Sequence, residues 1–182
     1  DVFQVPVIHM MDKFIASSVT TCQRFDETKV NIDRGKLLDE ISSDNYRRFE
    51  HTIDGLSPRS KLGLENGIFW NTGDESDIQG HISEDPVNRI QMMDKRQSRL
   101  DYILEKIPES EQIIKHSEGD FCIVSWGSTQ GPVLDAIEML KNEGISIGFV
   151  EVKLLQPFPK ELLKKLFSNS KTIIDIEANY TG

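Results

Sequence analysis

The chain has 182 residues, 28% of them charged, and a formal net charge of −9. This length suits one domain of ordinary size or a small domain with an extension. Because a nucleic-acid backbone attracts clusters of lysine and arginine, the acidity argues against a nucleic-acid partner, and no apolar run approaches the ~18 residues that a membrane span requires.

The N-terminal residues predict a strand followed by a helix. Val5–His9 is a β-type run, and Met10–Val19 has helical spacing. Four of its side chains share one face: Met11, Phe14, Ile15 and Ser18. A strand and helix at the start of a chain without an initiator methionine are typical of the last β-α unit of a preceding domain. We therefore predict that residues 1–19 end an upstream domain and that the chain is a fragment of a longer polypeptide.

Two cysteines, Cys22 and Cys122, stand about a hundred residues apart, and neither belongs to a Cys-x-x-Cys motif. This spacing argues against a zinc or iron–sulfur site within the chain. Cys122 lies in an apolar run, which is typical of a small buried side chain. We expect reduced thiols in a cytoplasmic protein.

Residues 20–77 show weak periodicity and many polar side chains. Turn signals recur along them, at Asp33-Arg34-Gly35, Asp54-Gly55, Ser57-Pro58 and Glu65-Asn66-Gly67. Because so long a structureless loop is uncommon in a compact domain, three interpretations stay open. The segment is an extended arm, a functional loop region, or a linker that packs on parts of the protein missing from this sequence.

A long helix is predicted from Pro86 to Lys106. Ser83-Glu84-Asp85-Pro86 supplies a capping side chain, acidic residues at the start of the helix and a proline just inside it. Its apolar residues are expected on one side: Val87, Ile90, Met93, Leu100, Ile103 and Leu104. Its basic residues occupy the rest: Arg89, Lys95, Arg96, Arg99 and Lys106. A solvated face is favoured over a partner site for this basic stripe.

The last third of the chain alternates strands and helices. The predicted strands are Phe121–Ser125, Ile145–Lys153 and Lys171–Glu177, and the helices between them are Pro132–Asn142 and Pro159–Ser168. Because crossovers of this kind are right-handed, a mainly parallel sheet is expected. The predicted fold class is α/β, in residues 119–182, preceded by a charged arm and the long helix in residues 20–118.

Three groups of motifs, in this order, resemble one protein family. The first runs from Pro6-Val7-Ile8 to Asp12-Lys13-Phe14-Ile15-Ala16. The second comprises Leu56-Ser57-Pro58-Arg59, Gly73-Asp74-Glu75-Ser76-Asp77 and Gly80-His81-Ile82-Ser83-Glu84-Asp85-Pro86. The third comprises Trp126-Gly127-Ser128-Thr129, Gly131-Pro132, Leu155-Gln156-Pro157-Phe158-Pro159 and Glu177-Ala178-Asn179-Tyr180-Thr181-Gly182. Together they look like the α subunit of 2-oxoacid:ferredoxin oxidoreductases.

The resemblance implies a thiamine-diphosphate enzyme. Members of this family decarboxylate a 2-oxoacid oxidatively, pass the acyl group to coenzyme A, and pass electrons through an iron–sulfur cluster to ferredoxin. By this resemblance, residues 1–19 end a pyrimidine-type thiamine domain, and residues 119–182 form a truncated domain like the C-terminal domain of transketolase. The implied partners are the upstream thiamine domain of the same chain, the β subunit and ferredoxin.

The chain departs from the family pattern in what it lacks. A Tyr-Pro-Ile-Thr-Pro motif is absent, as are the glycine-rich magnesium–diphosphate motif and the cysteine cluster that belong to the β subunit. We therefore expect no catalytic, cofactor-binding or metal-binding residue in this chain, and no turnover by the chain alone. A rival hypothesis is a non-catalytic interaction or assembly domain with the same fold.

Four residues are candidate substrate-binding groups: Asp74, Glu75, His81 and Arg59. The first three lie in a glycine-bounded polar loop, which suits a site that discriminates the far end of a 2-oxoacid. A solvated acidic loop is the alternative, and the Asp spacing does not match a calcium-binding loop. Arg59 is suited to bind a carboxylate, although a surface arginine paired with nearby acids is favoured. For Gly127–Gly131, a tight turn is favoured over a phosphate site.

Overall fold

A computed structural model describes residues 1–42 and 45–180. Within the chain there are two compact units. The loop unit comprises Asp1–Val7 and Arg24–Ile103, and the sheet unit comprises Ile8–Gln23 and the chain from Leu104 onward. The last two residues of the third motif group, Thr181 and Gly182, lie outside the described residues. The predicted boundaries at residues 19 and 118 concern domains of a full-length subunit and stay predictions.

The elements follow each other along the chain as five helices and four strands in the described ranges. They are α1 (Lys13–Ser17), α2 (Pro86–Lys106), α3 (Glu109–Gln112), β1 (Ile113–Ser117), β2 (Phe121–Ser125), α4 (Gln130–Asn142), β3 (Ile147–Val152), α5 (Lys160–Leu166) and β4 (Thr172–Ile176), with 3₁₀ turns at Glu27–Lys29 and Gly127–Thr129. No helix in this part of the chain is both long and apolar enough to cross a membrane.

The four strands form one sheet in the order β1-β3-β2-β4. β2 pairs in parallel with both β3 and β4, whereas β1 pairs antiparallel with β3. The predicted α/β fold with a mainly parallel sheet is therefore confirmed. The short edge strand β1 was not predicted, because only its first two residues are apolar and its pairing partner lies more than thirty residues further along the chain.

Each face of the sheet carries its own apolar cluster. Alternate residues of a strand point to opposite faces, so Cys122 and Ile123 enter different clusters. The members of one cluster are Ile113, Cys122, Val150, Val152 and Leu163, and those of the other are Ile123, Val133 and Phe149. Cys122 is 5% exposed, which confirms it as a small core residue, and this burial raises the pKa of its thiol.

The predicted N-terminal strand is wrong for the described chain. Residues 5–9 form no strand, and the predicted helix is reduced to Lys13–Ser17. Asp12 caps that helix by accepting a hydrogen bond from the Ile15 N–H (3.0 Å). Phe14 and Ile15 are exposed rather than packed. The physical reason is that a strand needs a paired neighbour to be stable, and Val5–His9 has none among the described residues.

In the loop unit, residues 24–42 and 45–82 fold into turns rather than long elements, and two isolated bridges join Leu37 to Arg59 and Ser76 to Ile82. Gly55 lies against α2 with a positive φ of 69°. A β-carbon at this position would stand 2.6 Å from the Lys95 carbonyl oxygen, so only glycine fits. Gly55 therefore packs on α2, which belongs to this chain, so the contact is not one that any of the three open interpretations specified.

Helix α2 has the predicted bounds, but the predicted assignment of its faces is wrong. Val87 is 57% exposed and Ile90 is 62% exposed, whereas Lys95 is only 6% exposed. The buried residues of the helix are Met92, Lys95 and Ile103. Of the basic stripe, Lys95 and Arg99 face the turns of the loop unit, because those turns present backbone carbonyls that they can bind. Arg89, Arg96 and Lys106 are exposed, as the favoured solvated face requires.

Candidate functional site

The loop Gly73–His81 is organised by the carboxylate of Asp77. Its Oδ1 atom accepts hydrogen bonds from the backbone N–H groups of Gln79 (2.9 Å), Gly80 (2.9 Å) and His81 (3.0 Å). Burial favours the neutral carboxyl group, but these three donors favour the charged form and hold the pKa of Asp77 below its usual range. The sequence analysis missed this role, although an Asp followed by a glycine within a turn signals it.

Glu75 is tied to helix α2. Arg96 donates to both of its carboxylate oxygens, at 3.0 and 2.6 Å, and Arg89 lies 3.7 Å from Oε2. The hydrogen bond from Arg96 is the main cause that holds the pKa of Glu75 below its usual range, against an opposing effect of burial. Glu75 is therefore an anchor of the loop with a neutralised charge, rather than a free acid.

The remaining candidates lie at the surface and do not all meet. Asp74 is exposed, and its backbone N–H donates to Thr72 (3.2 Å). The His81 ring lies 3.6 Å from the Asp77 carboxylate. Arg59 donates to the Arg34 carbonyl (2.7 Å) and lies 3.6 Å from Asp1. Within the described ranges no hydrogen bond or ion pair joins Arg59 to the loop, so the favoured interpretation of Arg59, pairing with local acids, matches its contacts.

A buried lysine in the loop unit was not predicted. The Lys95 ammonium donates to the Phe49 carbonyl (2.7 Å) and to the Ser57 hydroxyl, which itself donates to the Glu50 carbonyl (2.7 Å). Burial, and then the nearby positive charges, lower the pKa of Lys95 to about 7. No signal in the sequence alone marks this lysine as buried, because helical spacing does not show which face of a helix packs inward.

Several side chains meet at the carboxyl end of the parallel strands. The Trp126 indole donates to both Glu177 oxygens (2.9 and 3.0 Å), and Ser128 donates to the Asp12 carboxylate. Gln130 donates to Glu151 (2.8 Å). In the Gly127–Gly131 turn, carboxylates of the chain accept from Ser128 and Gln130, and the Trp126 carbonyl accepts from the Thr129 hydroxyl (2.7 Å). These internal partners support the structural interpretation of this turn over a phosphate site.

Comparison with known proteins identifies the family. Residues 119–182 match the family model of pyruvate:ferredoxin oxidoreductase core domain II. The chain is 44% identical to the α subunit of 2-oxoacid:ferredoxin oxidoreductase 2 from Aeropyrum pernix, over 99% of this chain and 28% of that protein. This chain belongs to the family of 2-oxoacid:ferredoxin oxidoreductase α subunits. The α subunit from Saccharolobus solfataricus is 37% identical over 99% of this chain and 29% of that protein.

A solved structure agrees with this family. The 2-oxoglutarate:ferredoxin oxidoreductase from Magnetococcus marinus, with 2-oxoglutarate, coenzyme A and succinyl-CoA bound, superposes with a TM-score of 0.75 at 28% identity. The match covers 87% of this chain and 27% of that chain. This chain therefore spans less than a third of the length of the α subunits it matches, which are parts of multi-subunit oxidoreductases.

Asp77 and Asp74 are expected to differ sharply in their effect on the loop. Replacing Asp77 with alanine removes the acceptor of three backbone hydrogen bonds and should destabilise the loop locally by about 1–3 kcal/mol. Amide exchange at Gln79, Gly80 and His81 should then accelerate about ten-fold or more. The matched variant Asp74→Ala should leave these rates unchanged, because the exposed Asp74 carboxylate accepts none of these bonds. Equal rates in both variants would contradict the role of Asp77.

Proposed function

We propose that this chain is the C-terminal part of the α subunit of an enzyme that converts a 2-oxoacid to an acyl-CoA and reduces ferredoxin. The observation that carries the proposal is the 44% identity across 99% of the chain to an α subunit of this enzyme class. The described residues supply a polar loop that Arg96 of α2 binds through Glu75, and such a loop suits recognition of substrate rather than chemistry.

The proposal assigns thiamine diphosphate, magnesium and the iron–sulfur cluster to the rest of the enzyme, with coenzyme A as co-substrate. The residues of this chain do not fit these groups. Cys122 is buried in the core and Cys22 is exposed, in different segments. Across residues 1–42 and 45–180, no three His, Cys, Asp or Glu side chains converge as metal ligands would. The proposed partners are the upstream thiamine domain, the β subunit and ferredoxin, in the cytoplasm.

In the proposed site, the loop Gly73–His81 approaches the far end of the bound 2-oxoacid. Glu75 holds the loop on Arg96, so its charge does not act on the substrate. Asp74 is the exposed carboxylate of the loop. We assign it the largest influence on substrate selectivity, since it disfavours a second carboxylate on the substrate. His81 and Arg59 complete the proposed set as polar contacts.

Asp74→Ala in the complete α–β enzyme is expected to favour dicarboxylic substrates. The ratio of kcat/KM for 2-oxoglutarate to kcat/KM for pyruvate should rise by about 3–10-fold, because the removed charge repels only the substrate that carries a far-end carboxylate. Glu65→Ala is the control, since it removes an exposed carboxylate outside the loop. A change that is uniform across both substrates would place Asp74 outside the specificity pocket.

The rival hypothesis, a non-catalytic interaction domain, predicts a different outcome for the complete complex. The enzyme proposal requires reduction of ferredoxin or a viologen dye that depends on both coenzyme A and a 2-oxoacid. The 182-residue chain alone is expected to show no turnover, because the proposal assigns the cofactors to the rest of the enzyme. An inactive complete complex with bound cofactors would favour the rival, and dye reduction by the isolated chain would contradict our assignment of the cofactor sites.

A further inference from the structure

The segment that carries Arg59 is bound along one edge by a neighbouring stretch of the loop unit. The Arg59 backbone N–H donates to the Lys36 carbonyl (2.8 Å), and the Arg59 carbonyl accepts from the Leu38 N–H (2.8 Å). These two hydrogen bonds form an isolated parallel bridge. Successive residues of an extended segment direct their backbone groups to opposite edges, so the bridge leaves the Pro58 carbonyl and the Ser60 N–H to find other partners.

The hydroxyl group of Tyr46 binds the opposite edge. It donates to the Pro58 carbonyl (2.8 Å) and accepts from the Ser60 N–H (2.9 Å). One oxygen atom therefore takes the place that a second strand would have, and the same side chain binds both peptide groups that flank Arg59. Because each peptide group is planar, fixing these two groups fixes φ and ψ of Arg59, and with them the direction of its Cα–Cβ bond.

The Tyr46 ring is itself held by aromatic packing. It lies edge-to-face against Phe69, with 6.2 Å between the ring centroids and 69° between the ring planes. Phe69 meets Phe49 in the same way, at 6.4 Å and 89°. Such pairs favour defined relative orientations of the rings. The hydroxyl group therefore has a defined position, and Tyr46→Phe removes its two hydrogen bonds while keeping this packing.

The guanidinium group of Arg59 keeps one donor for a ligand. Its Nη2 donates to the Arg34 carbonyl (2.7 Å), and its Nη1 lies 3.6 Å from the Asp1 carboxylate. Its Nε is buried and has no hydrogen-bond partner among the described residues, which is uncommon for a buried polar atom. Because the donors of a guanidinium group form a rigid fork, the backbone conformation at Arg59 decides where this donor points.

We propose that Tyr46 is a positioning residue for the 2-oxoacid, because its hydroxyl group fixes the backbone on both sides of Arg59 and thereby aims the guanidinium group. This inference rests on the proposed function, in which Arg59 contacts the substrate. Tyr46 acts through Arg59 and needs no contact of its own with the substrate. The Arg59 contact is made in the bound substrate and in the transition state alike, so its misdirection raises KM and leaves kcat nearly unchanged.

A double-mutant cycle in the complete α–β enzyme tests this role, with pyruvate and 2-oxoglutarate as substrates. Tyr46→Phe should raise KM by about 3–10-fold and change kcat less than two-fold. In an Arg59→Ala background the same substitution should change KM less than two-fold, since the group through which it acts is absent. Equal changes of KM in the two backgrounds, or an unchanged KM in the parent background, would overturn the proposal.

Ser98→Ala is the matched control. It also removes one hydroxyl group of the loop unit, which donates to the Lys95 carbonyl (2.9 Å) and does not bind the segment that carries Arg59. KM should stay within two-fold of the parent value in this variant. A rise of KM as large as that of Tyr46→Phe would show that any lost hydroxyl group of the loop unit has this effect, and would overturn the proposal.

Amide exchange in the same complexes separates positioning from a purely structural role. Tyr46→Phe should accelerate exchange at the Ser60 amide about ten-fold or more, because the acceptor of this N–H is removed, and Ser98→Ala should leave the rate unchanged. Faster exchange together with an unchanged KM would give Tyr46 a structural role only. Unchanged exchange would show that the hydroxyl group does not hold the segment. Either result would overturn the proposal.

Failure of this inference is distinguishable from failure of the proposed function. The wild-type complex reports on the function through coenzyme-A-dependent dye reduction, which requires no variant. If the wild-type complex is active and Tyr46→Phe has the same effect with and without Arg59, the enzyme assignment stands and the role of Tyr46 is wrong. If the wild-type complex is inactive, the proposed function is wrong and the role of Tyr46 falls with it.

Discussion

Replacing Phe149 with alanine is expected to lower the free energy of unfolding of the sheet unit by about 3–5 kcal/mol. Phe149 lies in β3 between β1 and β2 and has no exposed surface. It packs with Ile123 and Val133 and stacks on the His116 ring, with 4.7 Å between the ring centroids. Truncation leaves a cavity that these neighbours cannot fill, because β3 is held by hydrogen bonds on both sides.

The measurement uses the single tryptophan of the sheet unit. The chain has two tryptophans, Trp70 in the loop unit and Trp126 in the sheet unit, so Trp126 fluorescence in a Trp70→Phe background reports on the sheet unit during denaturant unfolding. Phe158→Ala is the matched control, since Phe158 is 48% exposed, and it should cost no more than about 1 kcal/mol. Similar losses for Phe149→Ala and Phe158→Ala would show that Phe149 is not the centre of the core.

The stability of the loop unit is expected to rise as the pH increases from 7 to 9, through the titration of Lys95. In the folded chain the pKa of Lys95 is lowered to about 7, and in the unfolded chain it returns to its usual 10.5. Between these values the unfolded state binds more protons, so the free energy of unfolding increases with pH. At ~1.4 kcal/mol per pH unit, the gain over this interval is about 2–3 kcal/mol. Below pH 7 the cost of burying the charge is fully present.

The surroundings of Lys95 explain why its pKa is lowered in the folded chain. Burial is the largest cause, and Arg99, Arg48 and Arg96 add repulsion, which Glu50 offsets only in part. Lys95→Met removes the titrating group, so its unfolding free energy should lack the rise seen in the parent. Lys61→Met, at an exposed lysine of the same unit, should retain the rise. Both variants are measured at pH 7 and pH 9 by denaturant unfolding, followed by Trp70 fluorescence in a Trp126→Phe background. The same rise in unfolding free energy with pH for the parent and for Lys95→Met would refute the prediction.

Features that depend on neighbouring residues were predictable from the sequence. The start of α2 follows from a proline that comes after capping residues. The bounds of β2 follow from a short apolar run between turn signals. Gly144, with φ of 81°, ends α4 as expected for a glycine just after a helix. The order of the motifs also identified the family. Each motif spans only a few residues, and the order of the motifs along the chain does not depend on how the chain folds.

The candidate site was predicted only in part. The sequence singled out the loop Gly73–His81, because glycine-bounded polar residues are visible locally. It did not show that Glu75 is neutralised by Arg96, twenty-one residues away, or that Asp77 rather than Asp74 organises the turn. Whether a carboxylate is free or engaged depends on which distant groups fold against it, so this distinction required coordinates.

The sequence by itself determined the family, the parallel α/β class and the bounds of the principal helix and central strand, because these follow from local periodicity, capping and motif order. Only the tertiary structure decided the antiparallel edge strand β1 and the direction in which each face of α2 points. Helical periodicity shows that two faces differ, but the contacts determine which is buried. In α2 the backbone carbonyls of Phe49, Gly55 and Gln4 bind Lys95 and Arg99, and these hydrogen bonds outweigh burial of Val87 and Ile90.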